Sequence, residues 1–141
     1  MERIKIELPE PNKFIFTTTI MPRISDINYG NHLGHDHLVS LLHEVRLRFL
    51  TKHGFSEKDT GGCGIILADL AVIYKAEVCY GETLTVDLAL LDPSRVGCTF
   101  MYWVKRKGDE KEVARATTGI VFFNYTTRKV CGLPEVFRRL F

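Results

Sequence analysis

The chain has 141 residues, 45% of them hydrophobic, and a formal net charge of +2 with acidic residues interleaved among the basic ones. That balance excludes a disordered polyion and offers no basic stripe for nucleic acid, and no window approaches the roughly 18 apolar residues of a membrane span. The length predicts one domain, residues 1–141, that buries a core without disulfides or structural metal.

The opening residues MERIKIELPEPNK lack the apolar stretch of a secretion signal. The four cysteines, Cys63, Cys79, Cys98 and Cys131, form no C-x-x-C pair and sit mostly among apolar residues, so they read as small buried hydrophobes. Both features predict a cytoplasmic protein in a reducing compartment.

Phe14 to Ile24 reads as a strand. The polar loop that follows is dense in His, Asn, Asp and Gly and runs straight into an amphipathic helix, the whole spanning Ser25 to Gly54. Within the helix Leu38, Leu41, Leu42, Val45, Phe49 and Leu50 form one stripe of a 3.6-residue period. The opposite face carries His37, Ser40, His43, Glu44, Arg48 and Lys52. Gly54 just past a basic last turn marks the C-terminus. A helix from about Gly34 to His53 is roughly 30 Å long at ~1.5 Å per residue.

After the helix, residue usage shifts to β-branched and aromatic residues at period two. The predicted strands are Ile65 to Val78, then Leu84, Val86, Leu88 and Leu90 alternating with polar or small residues, then Cys98, Phe100, Tyr102 and Val104. The charged run KRKGDEKE turns at Gly108 into a last strand with Ala114, Ala116, Thr118, Ile120 and Phe122 on one face. The order β-α-β-β-β-β describes an α+β fold: a mostly antiparallel sheet of five to six strands with one long helix that has only that sheet to bury its stripe.

These features resemble the hotdog-fold acyl-CoA thioesterases, and within them the 4-hydroxybenzoyl-CoA thioesterase-like group. That group's hallmark, roughly D-x-D-x-x-G-x-x-x-x-x-x-Y-L-x-x-x-E-x-A-R, maps onto Asp26, Asn28, Leu38, Val39, Glu44, Val45 and Arg46. A later Y-G-D-x-L-x-V element appears as Tyr80-Gly81-Glu82-Thr83-Leu84-Thr85-Val86. The resemblance implies a curved antiparallel sheet wrapped around the helix, hydrolysis of an acyl-CoA without a cofactor, and a homodimer or homotetramer formed by edge-to-edge sheets. Asn28 stands where the group has its usual catalytic carboxylate.

Thioester hydrolysis needs a group that attacks or activates water, and donors where charge develops on the carbonyl oxygen. Free N–H groups at the helix start meet the second need, with Gly34, His35 and Asp36 as donors and as contacts for substrate. For the first need Asp26 is the expected base or nucleophile, its side chain on the same side as that of Asn28 if the segment is extended. Asn28 then orients water or carbonyl, and His35 assists proton transfer. Glu44 is a further catalytic candidate, since helical carboxylates attack the thioester in other hotdog enzymes. Lys105, Lys107, Arg128 and Lys129 are expected to meet the phosphates of coenzyme A. Two other readings stay open: an inactive acyl-CoA or acyl-carrier binding module, which Asn28 invites, and a metal-dependent enzyme using His32, His35 and His37.

Overall fold

The computed structural model describes residues 2–141. Its elements are β1 (Phe14–Ile20), α1 (His35–Lys52), β2 (Gly64–Tyr74), β3 (Leu84–Leu91), β4 (Gly97–Arg106), β5 (Glu112–Asn124), β6 (Lys129–Val130) and the short α2 (Glu135–Arg138). The expected helix is present within a residue at each end. Two strands are shorter than expected, each for a local reason. β1 stops before Pro22, which has no N–H to give a ladder, and the chain then turns through a 3-10 segment at Ile24–Asp26. β2 stops at Tyr74 because the N–H groups of Lys75 and Ala76 both turn to the Val113 carbonyl, at 2.8 and 3.2 Å.

All strand pairings are antiparallel, in the order β1-β3-β4-β5-β2, with β6 added to β5. The predicted inward faces of β4 and β5 lie across from each other, Phe100 opposite Thr118, Tyr102 opposite Ala116 and Val104 opposite Ala114, and all six are buried. The stripe of α1 packs on this face. Phe49 meets Phe16 of β1 at 5.7 Å and Phe100 of β4 at 5.8 Å between ring centroids. Those two strands are separated by β3, so the sheet curls around the helix as the hotdog resemblance implies. Burying side chains such as Val45, Phe49 and Leu50 completely contributes about 1.5–3 kcal/mol each.

Arg46 enters this core as a charge that is 4% exposed. Its Nη1 donates to the Tyr102 hydroxyl at 3.1 Å, which pairs with Thr118 Oγ1 at 2.9 Å, while Nη2 reaches Glu57 at 3.4 Å. A buried guanidinium needs such partners, so the hallmark arginine here ties helix to sheet.

The reading of the cysteines is corrected. Cys63 and Cys131 form a disulfide, and Cys79 is exposed. Cys98 alone is a buried free thiol, which desolvation pushes up to about 12. Nearby, Gly61 at φ +113° lets the loop before β2 pass close to α2, since a Cβ there would collide with Val136. Trp103 packs on Phe14, lies under Lys105 and donates Nε1–H to Glu112 at 2.6 Å. The core also extends past the curl of the sheet, because Phe137 of α2 is fully buried against Phe55, Phe100 and Phe122. Phe137→Ala is expected to cost about 3–5 kcal/mol, measured as a lowered urea midpoint with an unchanged slope.

Candidate active site

The loop between β1 and α1 closes on itself before the helix begins. Ile27 and Leu33 form an antiparallel bridge, Asn28 N–H donates to the His32 carbonyl at 2.9 Å, and Asn31 N–H to the Asn28 carbonyl at 3.0 Å. Asn31 takes a left-handed φ of 65°, a conformation asparagine tolerates better than most residues. Asn28 Oδ1 accepts the Gly30 N–H at 2.9 Å, which leaves its amide NH2 free to donate. Gly30 makes room for an imidazole, since a Cβ there would stand 2.9 Å from His32 Nε2.

Two main-chain bonds fasten this loop to its surroundings. Leu33 N–H donates to the Val78 carbonyl at 2.7 Å, and Gly34 N–H to the Asp26 carbonyl at 3.0 Å. Gly34 is the N-cap of α1 and has no side chain to cap it. The N–H groups of His35, Asp36 and His37 have no partner within the helix and sit at the positive end of its dipole.

A cavity of about 350 Å³ opens at this helix start. Leu33, Leu38, Val78 and Val113 give it apolar walls, and Asn28, His32, His35, Tyr74 and Glu77 bring polar groups to it. His32 Nδ1 lies 3.2 Å from the Leu33 carbonyl, so the ring donates there and keeps the Nε2 lone pair free. The Tyr74 hydroxyl donates to the His35 carbonyl at 2.8 Å and the two rings meet edge on. Burial first, and the charge of Asp36 second, raise the Tyr74 phenol above its ordinary value.

The four expected catalytic residues fall into two places. Asn28 and His35 line the cavity. Asp26 and Glu44 line another, of about 380 Å³, on the side of α1 facing Ile20 and Met21. Asp26 is 3% exposed, with Oδ2 accepting the Arg23 N–H at 2.7 Å and Oδ1 paired with His37 Nδ1 at 3.0 Å. Asp26 and Asn28 would share a side only in extended chain; the 3-10 turn ending at Asp26 rotates its carboxylate under the helix. Glu44 pairs with Arg48 at 2.8 Å one turn along.

Of the expected substrate contacts, Gly34 lines the cavity and Asp36 is exposed beside it. Lys105 is held by Asp87 at 3.3 Å. Lys107 lies in a groove with Arg106, whose Nη1 donates to the carbonyl of the cavity residue Glu77 at 2.9 Å. Arg128 and Lys129 lie past the far end of β5, a 13-residue strand some 40 Å long at ~3.3 Å per residue, so one subunit does not bring them to this cavity. The three loop imidazoles do not converge, because His37 turns to Asp26 while His32 and His35 face the cavity. No group of three His, Cys, Asp or Glu side chains is placed to hold a metal among the described residues. Tyr74 and Glu77 carry no functional signal in the sequence, since long-range bonds, from Leu33 to the Val78 carbonyl and from Tyr74 to the His35 carbonyl, bring their segment to the loop.

A family model described as the thioesterase-like superfamily matches residues 22–141. No curated protein matches the chain. Among solved structures the chain is similar to Slr0204, a 1,4-dihydroxy-2-naphthoyl-CoA thioesterase from Synechocystis, at 20% identity and a TM-score of 0.80 over 89% of this chain and 93% of that one. It is similar to SAV2348 of Staphylococcus aureus, solved in complex with CoA, at 22% identity and a TM-score of 0.80 over 91% and 82% of the two chains. The DHNA-CoA thioesterase of Staphylococcus aureus matches at 23% identity and a TM-score of 0.74 over 83% and 79%. At these identities the likeness is one of fold.

Tyr74→Phe removes the bond to the His35 carbonyl and is expected to cost about 1 kcal/mol, read by urea denaturation. The raised folded-state value also sets a sign: the phenol's contribution is intact below its ordinary 10.0 and is lost as pH climbs from there through the folded value. The variant is therefore less sensitive to alkali than the parent.

Proposed function

The chain belongs to the thioesterase-like superfamily, and on that footing we propose that it hydrolyses an acyl-CoA to the free acid and coenzyme A in the cavity at the start of α1. The observation that carries this reading is an uncapped helix N-terminus opening onto a cavity that also holds an imidazole with an unengaged nitrogen.

The thioester carbonyl oxygen accepts hydrogen bonds from the N–H groups of His35 and Asp36, where the helix dipole favours the negative charge of the tetrahedral intermediate. His32 Nε2 takes a proton from water as the water oxygen bonds to the carbonyl carbon. When the carbon–sulfur bond breaks, the imidazolium returns that proton to the departing thiolate, so atoms and charge balance. His35 enters this scheme through its main-chain N–H. The free amide of Asn28 orients water or carbonyl, which lets asparagine serve where the group has a carboxylate. Glu44 takes no part in this scheme, and Lys107 beside Arg106 meets a phosphate.

The working unit is a homodimer. β2 is an edge strand of 11 residues that exposes Ile66, Leu67 and Leu70, an open edge of the kind that invites pairing with a second copy. Use of a CoA substrate supports a cytoplasmic location. In the structure described, no helix is long and apolar enough to cross a membrane.

A free-thiol assay over short, long and aromatic acyl-CoAs tests the activity. Turnover is expected, with His32→Gln lowering kcat by about 10²–10⁴; saturable binding of acyl-CoA without turnover would instead support a binding module. Leu67→Asp with Leu70→Asp is expected to convert a dimer to monomer in sedimentation equilibrium, and an unchanged mass would remove β2 from the interface.

A further inference from the structure

Asp26 has no place in the cavity scheme, yet it is the most deeply buried carboxylate among the described residues and none of its three oxygens is idle. Its Oδ2 takes the Arg23 N–H at 2.7 Å, its Oδ1 pairs with His37 Nδ1 at 3.0 Å, and its main-chain oxygen takes the Gly34 N–H at 3.0 Å. Gly34 is the N-cap of α1 and His37 the third residue of its first turn. Asp26 thus grips the helix start at both of its ends, from the side opposite the cavity, while Arg23 anchors it to the chain leaving β1. His37 in turn carries Asp36 3.9 Å from its Nε2.

We propose that Asp26 is a positioning residue, not the attacking or proton-accepting group: through His37 and Gly34 it sets the direction of the first turn, and so the aim of the His35 and Asp36 N–H groups at the carbonyl oxygen. The inference rests on the hydrolytic reading of the cavity. Donors aimed at a developing oxyanion act through placement, and a shift of about 1 Å costs on the order of 10²-fold in rate. The chemistry also separates this role from a catalytic one. An asparagine can keep both side-chain bonds, its oxygen accepting from Arg23 N–H and its NH2 donating to Nδ1 of a neutral His37, whereas it can neither attack a thioester nor remove a proton from water.

The test compares Asp26→Ala, Asp26→Asn, His37→Ala and the Asp26→Ala/His37→Ala double variant of the full chain in the thiol-release assay, with amide hydrogen exchange of residues 34–38 measured on each. Asp26→Ala is expected to lower kcat about 100-fold with KM little changed, and to speed exchange in the first turn. Asp26→Asn is expected to stay within about tenfold of the parent in kcat and to keep the parent's exchange. His37→Ala should resemble Asp26→Ala, and the double variant should fall no further than the worse single, since the two act as one unit. Asp26→Asn as inactive as Asp26→Ala, with first-turn exchange unchanged in both, would overturn the proposal by making the carboxylate itself a chemical group. If the parent hydrolyses no acyl-CoA, the hydrolase reading fails and the exchange data alone decide: unaltered first-turn protection in Asp26→Ala overturns the positioning role.

Discussion

A helix start must find acceptors for N–H groups that the helix itself cannot satisfy, and here the cap position is a glycine with no side chain to offer. The neighbouring structure holds that start in place without closing it. The Val78 carbonyl fixes Leu33, the Tyr74 hydroxyl donates to the His35 carbonyl, and Asp26 grips Gly34 and His37 from beneath. Each contact bonds a group other than the His35 and Asp36 N–H groups, which stay available to a carbonyl oxygen. The cavity exists because β2 ends at Tyr74 and the chain then bends toward this loop.

The long-range architecture explains why that arrangement is rigid. α1 is 18 residues long and its stripe packs into the curl, with Phe49 touching edge strand β1 and central strand β4 together. Arg46 adds a polar rivet to Tyr102 and Glu57 in the second half of the helix. With the helix body immobilised, its first turn is aimed by a handful of loop contacts. Edge strand β2 borders both regions, since Tyr74 lies at the cavity and Leu67 and Leu70 flank a smaller cavity of about 160 Å³ beneath Val39 and Leu42. Pairing of that edge would therefore influence the site directly.

Much of the fold was legible because it is periodic. The 3.6-residue stripe of α1 and the alternation in β3, β4 and β5 are local signals written in consecutive residues. Of the loop residues singled out from the sequence, Asn28, Gly34 and His35 line the cavity at the start of α1. Asp26 was misplaced because two-residue alternation holds only in extended chain, and a single 3-10 turn breaks it. Glu44 was legible as a helical carboxylate but not as the i, i+4 partner of Arg48. Tyr74 and Glu77 carry no local mark of function; a tertiary hydrogen bond recruits them. Likewise the pairing of Cys63 with Cys131 spans 68 residues and leaves no mark in the residues next to either cysteine.

The claim on which this account stands is that the main-chain N–H groups at the start of α1 receive the substrate's carbonyl oxygen. It is tested most directly by following the amide resonances of the protein during titration with a non-hydrolysable acyl-CoA ketone analogue. The account predicts that the His35 and Asp36 amide protons move downfield and lose exchange with water more than any others. Saturable binding that leaves those two amides unmoved would contradict it.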